Sequence, residues 1–187
     1  MREIVLVRHG QTEWSAAGRH TSVTDLDLTS DGERQAKQLA ARLAGRSFGL
    51  ILRSPRTRAR TTAQLAGLTP AEVDDDLAEW SYGEYEGKTT PQIRERDPGW
   101  TIWTGHTPGG ETAAQVQARA DRLLGRVRPA LSAADVCLVG HGHMLRVITA
   151  RWLGLPVRDG ALFRLETATL SVLGFERETP VLLRWNA

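Results

Sequence analysis

The residues best suited to chemistry stand at the ends of two apolar runs. One run, "IVLV", passes directly into Arg8-His9-Gly10, and the other, within "DVCLVG", passes into His141-Gly142. Imidazole changes its proton near neutral pH and serves as nucleophile or base. A glycine beside it lets another group come close. A third run, "GLILR", leads into "SPRTRAR", which adds guanidinium forks of the shape that fits phosphate oxygens. Taken singly these pieces say little, since most His-Gly pairs are turns and most surface arginines are solvated. Brought together, two imidazoles and several arginines equip a site to hold and attack a phosphate group.

They can meet only if the three runs are strands of one sheet whose carboxyl ends share an edge, where open α/β sheets bind their ligands. The pattern along the chain supports this. "EIVLVR" reads as a buried strand. Ser30 to Glu33, "SDGE", reads as a capping box that opens a helix, with Ala36, Leu39, Ala40 and Leu43 as its apolar stripe and an end near Gly45. Ser54-Pro55 reads as a cap with proline at the first helical position of "PRTRARTTAQLAG". A long helix is predicted over about 111–131, with Val116, Ala120, Leu123 and Val127 on one face, and another over "MLRVITARWLG". The tail, "ALFRLETATLSVLGFE" and "VLLRWN", reads as strands. This alternation predicts a three-layer α/β/α sandwich around a mostly parallel sheet. Residues 1–187 form one domain in this reading, with a loosened stretch of Trp, Gly and Pro at about 74–110 as a substrate-cleft insertion.

Composition sets outer bounds. The chain has 187 residues, 24 Lys and Arg against 22 Asp and Glu, and a net charge of +2. So slight an excess gives no nucleic-acid footprint, and "RTRAR" lacks the interleaved aromatics of a strand-binding surface. Lysine occurs only at Lys37 and Lys88; an arginine-rich genome accounts for most of this bias, phosphate recognition for part of it. No apolar run reaches the length of a membrane span, and "MREIVLV" lacks the shape of a signal peptide. The lone Cys137, inside "DVCLVG", reads as a buried core residue and fits a reducing cytoplasm. A homodimer is compatible with these totals.

Six blocks, "LVRHGQTEW", "GRHTSVTDLDLTSDGERQA", "SPRTRARTTA", "LAEWSYGEYEG", "PGGET" and "LVGHGHMLR", occur in the order seen in the histidine phosphatase superfamily, also called phosphoglycerate mutase-like. The chain resembles that family from residue 4 to about 155, and looks most like small bacterial broad-specificity and acid phosphatases. "GQTEWS" and "HTSVTDLDLT" are also similar to the sedoheptulose-bisphosphatase-like branch. The resemblance implies that His9 attacks phosphorus and becomes phosphorylated. Arg8 and Arg58 match the phosphate-binding arginines, Arg58 by its place in the S-x-x-x-R-A-x-x-T-A pattern, and His141 matches the second pocket histidine. Glu79 matches the acid that protonates the leaving oxygen and then activates water, with Glu84 and Glu86 as rivals; Glu86 belongs to a recurrent "YEG" turn. Thr12, Thr21 and Ser22 match positions that contact phosphate or substrate, Tyr82 a substrate-side residue, and Gly142 adds its backbone. At Ser15 the family more often has a phosphate-binding asparagine, so Ser15 either takes that contact or caps a turn.

Other residues stay open. His141 and His143 are two apart, but no third ligand completes a zinc set and the family chemistry needs neither metal nor cofactor. A structural or solvent-facing role is expected for His143. His20 falls at the pocket mouth in "GRHTS". Trp80, Trp100 and Trp103 either wall a cleft or form the apolar underside of the insertion.

The expected activity is hydrolysis of small phosphate esters through a phosphohistidine. The alternative is a bisphosphoglycerate-dependent mutase, which in this family uses an adjacent arginine pair in a longer insertion; here only Arg94 and Arg96 occur, and not adjacent. A non-catalytic phosphate-binding domain is the third reading, opposed by the intact catalytic positions.

Overall fold

The computed structural model describes residues 2–187. Six strands form one sheet: β1 (Ile4–Arg8), β2 (Phe48–Arg53), β3 (Glu72–Val73), β4 (Asp135–Gly140), β5 (Leu170–Glu176) and β6 (Thr179–Arg184). Their order is β3-β2-β4-β1-β5-β6. The first four run parallel, while β5 lies antiparallel to β1 and β6 antiparallel to β5. Apolar side chains bury both faces of β1 and β4, as continuous Val, Ile and Leu runs demand.

The helices are α1 (Glu13–Ala16), α2 (Ser30–Leu43), α3 (Thr57–Leu65), α4 (Thr90–Arg94), α5 (Ala113–Ala130) and α6 (Gly142–Trp152). One core cluster joins α5, α6 and the insertion to one face of the sheet; a second joins α2 and α3 to the other. The expected α/β sandwich with a mostly parallel sheet is therefore present. Among the described residues no helix is long and apolar enough to cross a membrane.

Three local readings need correction. The N-cap of α2 is Thr29, whose hydroxyl accepts from Gly32 N, so Ser30 is the first helical residue and not the cap; Ala40 faces solvent. α3 starts two residues later than expected, at Thr57 after Arg56, because Ser54 and Pro55 lie in the turn before it. In the tail, residues 157–162 form a 3₁₀ segment, and pairing begins only at Leu170.

The insertion is ordered and packed. Leu77, Trp80, Tyr82, Ile93, Trp100 and Ile102 are all buried in the larger core cluster. It is tied to the segment after β1 through an antiparallel bridge between Arg19 and Thr89 and the reciprocal bonds His20 N to Lys88 O and Gly87 N to His20 O.

Candidate active site

Register brings the strand ends together. β1 pairs Arg8 with Gly140 of β4, and β2 pairs Arg53 with Val139. One step further along each strand, Ser54, His141 and His9 fall in a row. His9 N continues the ladder by donating to Gly140 O (3.0 Å), and Ser54 N donates to Val139 O (2.9 Å). The two imidazole rings pack edge to face, 5.0 Å between centroids. Gly10 is required by close approach, since a Cβ there would collide with the carbonyl of Gly32 at the start of α2.

The two rings are wired differently. His9 Nδ1 lies 2.7 Å from the Gly10 carbonyl, which can only accept, so the proton sits on Nδ1 and the Nε2 lone pair is left free. Burial, together with the Arg58 and Arg8 charges, holds His9 well below the ordinary imidazole range, and it is neutral. His141 Nδ1 accepts from Arg58 Nε (3.2 Å), so its proton is on Nε2, which donates to Ser54 Oγ (2.7 Å). His141 is fully buried, and burial with Arg58, His9 and Arg8 keeps it neutral too.

Glu79 caps the third element of the site. Its Oε1 accepts from Trp80 N (2.9 Å) and Met144 N (2.8 Å), and its Oε2 accepts from His143 N (3.0 Å). His141, the N-cap of α6, makes no side-chain cap bond, and the carboxylate from the insertion takes that place at the positive end of the helix. Oε1 has both lone pairs engaged; Oε2 retains one.

Arg8, His9 and Glu79 line a cavity of about 190 Å³, together with Thr12, Ser15, Thr21, Tyr82, Gly142 and residues considered below. A larger groove of about 560 Å³ lies between α2, α3 and β2, but Arg46 and Glu72 are its only charged lining and no imidazole reaches it. The smaller cavity, with its convergent polar groups, is the candidate site.

The chain matches the family model of the histidine phosphatase superfamily (branch 1) over residues 4–187. It belongs to that superfamily. It is a phosphatase. It is 47% identical over 176 residues to an acid phosphatase of Mycobacterium tuberculosis, covering 92% of this chain and 86% of that one. It is 37% identical over 186 residues to a sedoheptulose 1,7-bisphosphatase of Saccharomyces cerevisiae, covering 82% and 68%. Its fold superposes on the solved structure of a Mycobacterium tuberculosis open reading frame with a TM-score of 0.96 at 43% identity, over 99% and 97% of the two chains. It also superposes on a mycobacterial glucosyl-3-phosphoglycerate phosphatase bound to VO3, with a TM-score of 0.87 at 30% identity and full coverage of both.

Within this phosphatase the other residues named from sequence divide into cavity and scaffold. Arg8 lines the cavity; one of its Nη atoms is held by the Leu165 carbonyl, and its buried Nε has no protein partner. Gly142 lets that guanidinium lie close, since a Cβ there would be 3.3 Å from Arg8 Cζ. Arg58 does not line the cavity. Fully buried behind His141, it also donates to the carbonyls of Thr24 (2.9 Å), Ser22 (3.2 Å) and Thr21 (3.4 Å). Ser22 likewise faces away: it donates to Glu86 and accepts from Tyr82 N (3.3 Å). Glu86 collects Ser22 N and Thr24 N as well, which makes it the anchor of the 22–24 loop. Thr12 and Ser15 form a reciprocal capping box on α1 at the cavity wall, and the Thr21 hydroxyl donates to Arg19 O (3.0 Å).

The wall opposite the strand ends was largely missed from sequence. His143 is no solvent-facing residue: its Nδ1 lies 2.5 Å from the Tyr82 hydroxyl and 4.0 Å from Glu79 Oε2. Burial and the Arg146 charge keep His143 neutral, and burial with Glu79 holds the Tyr82 phenol protonated. Arg19, His20 and Arg146 complete this wall. A signal was available, because His143 and Arg146 are three apart at the start of a helix and share its face. The tryptophans are the underside: Trp80 packs on Trp103, Trp103 on His143, and Trp100 on His20. Among the described residues no three His, Cys, Asp or Glu side chains form a metal-binding set.

Proposed function

We propose that this phosphatase hydrolyses small phosphorylated metabolites through a phosphohistidine on His9. The wiring of His9 carries the reading: an Nδ1–H held by a backbone carbonyl leaves a neutral, oriented Nε2 lone pair beside the Arg8 cation. Nε2 attacks phosphorus and the bond to the ester oxygen breaks. Glu79, in its acid form, gives its proton to the departing oxygen. The Glu79 carboxylate then takes a proton from water as that water attacks the phosphohistidine, releasing inorganic phosphate and restoring His9.

Arg8 and the Gly142 N–H, the amide at the start of α6 that Glu79 does not take, hold the phosphoryl oxygens. His141 and Arg58 act from behind, as a neutral hydrogen-bonded ring and a buried cation that keep His9 unprotonated. Hydrolysis is favoured over phosphoryl return to a bound glycerate because the insertion arginines stay away from this cavity. Arg94 donates to Trp100 O (2.8 Å), and Arg96 lines a separate groove with Lys88 and Gln92. The chain is read as one such domain, acting in the cytoplasm with its single thiol reduced and buried, and without a nucleic-acid or membrane partner.

Rapid quenching with ³²P-labelled substrate tests this. Acid-labile, base-stable label should appear on the wild-type protein within the first turnover. Turnover with no trappable label at any time would overturn it.

A further inference from the structure

The reaction just described uses Arg8, His9, Glu79 and the strand-end scaffold, and leaves two cations of the cavity without a task, the exposed Arg19 and the half-buried Arg146. Arg146 stands on α6, one turn after His143 and on the same side of the helix. Its Nε donates to Gly160 O (3.0 Å) and its Nη2 to Ala161 O (3.1 Å), and its guanidinium carbon sits 4.5 Å from the centre of the Trp103 ring. These contacts hold the fork in place and neutralise nothing. Among the described residues Arg146 makes no ion pair, and its Nη1 has no protein acceptor, although the residue lines the cavity.

Its surroundings reinforce this. Burial brings the Arg146 guanidinium down to about 10, opposed by the charge of Glu79, so it remains a cation at neutral pH and feels the catalytic carboxylate. Beside it, the protonated Tyr82 hydroxyl can donate to His143 Nδ1, which leaves the His143 proton on Nε2 as a neutral donor. A preorganised, uncompensated cation in a concave wall draws an anion more strongly than the same group in open solvent. The cavity is small, so that anion must belong to the molecule whose phosphate sits at His9.

We propose that Arg146, assisted by His143, binds a second anionic group of the substrate, so that the preferred esters carry a carboxylate or a second phosphate a few bonds from the scissile one. This rests on the phosphohistidine reading and narrows its substrate class. It is a binding role, separate from the transfer of phosphate.

Matched substrates test it. 3-Phosphoglycerate and glycerol 3-phosphate have the same carbon skeleton and differ by a carboxylate in place of a hydroxymethyl group. Butane-1,4-diol bisphosphate and butyl phosphate make the corresponding phosphate pair. The wild type should favour at least one doubly anionic partner in kcat/KM by roughly 10- to 100-fold, the worth of a hydrogen bond to a charged group, chiefly through KM. The more favoured pair tells which anion is used. Arg146→Met, which keeps the aliphatic stem on Trp103, should lower that preference tenfold or more, and Arg146→Lys should restore part of it. p-Nitrophenyl phosphate hydrolysis by the wild type is measured alongside. Failure to hydrolyse it overturns the underlying reading and this proposal together. Hydrolysis without preference in either pair, or a preference that Arg146→Met leaves intact, overturns the second anion site alone. The wild-type comparison stands even if the methionine variant does not fold.

Discussion

The ends of β1 and β4 carry the same residue at the same level of the sheet and bond it in opposite ways. His9 has one nitrogen tied to a carbonyl one residue away and the other free at the cavity. His141, 5.0 Å from it, has both nitrogens taken, one by Arg58 and one by Ser54. Both rings are neutral for the same physical reason, burial beside guanidiniums. In the proposed reaction, what separates nucleophile from scaffold is not charge or strand position but which lone pair remains unengaged. A free, aimed lone pair can attack; an engaged ring transmits the field and geometry of Arg58.

The sharpest break of this comparison is to remove each ring in turn. His9→Ala should bring turnover to background, a loss on the order of 10⁴-fold or more, with no trapped phosphate. His141→Asn should still trap label, forming it about 10²- to 10³-fold more slowly because a supporting dipole and the Arg58 placement are lost. Label on the His9→Ala protein and none on His141→Asn would reverse the assignment.

Glu79→Gln comes next. Loss of the acid should slow phosphorylation by alkyl phosphates about 10²- to 10⁴-fold, and by p-nitrophenyl phosphate far less, since that leaving group needs little protonation. The rate of enzyme phosphorylation is the quantity to compare, because in the proposed reaction Glu79 also serves the second step. Equal losses would reduce Glu79 to the cap of α6 that its bonds from His143 N and Met144 N describe.

The smallest effect concerns pH. His9, His141 and His143 lie well below 6.5 when folded, and burial takes His20 down to about 4. Below pH 6.5 the unfolded chain takes up protons that the folded chain refuses, so stability is full above 6.5 and falls as pH drops toward the folded values. His20 alone would contribute a loss of roughly 3 kcal/mol by pH about 4. Urea unfolding at stepped pH should show the decline beginning below 6.5, and the acid limb of kcat/KM should also lie below 6.5. An acid limb at 6.5 would mean that His9 titrates as an exposed imidazole.

Legibility followed sequence distance. The strand-end edge could be read because each His-Gly follows directly on its own apolar run, and adjacency of β1 and β4 does the rest. Arg58 was found by its place in a pattern, yet its donors proved to serve His141 and the 21–24 loop instead of lining the cavity. The misplaced start of α3 has the same root: Ser54 looked like a helix cap and is in fact the acceptor for His141. The opposite wall was hardest to read, because Tyr82 and His143 meet across 61 residues and the Glu79 cap of α6 spans 64 and 65.

Periodicity and residues a few positions apart were enough to place the core strands and the long helices, the edge where the imidazoles emerge, and membership of a phosphatase family, though not the exact starts of α2 and α3 or the 3₁₀ segment of the tail. Which imidazole nitrogen holds its proton, which arginine lines the cavity and which one buttresses a histidine were settled by folding alone. Those outcomes turn on single hydrogen-bond partners, and for His141 they stand 83 and 87 residues away along the chain.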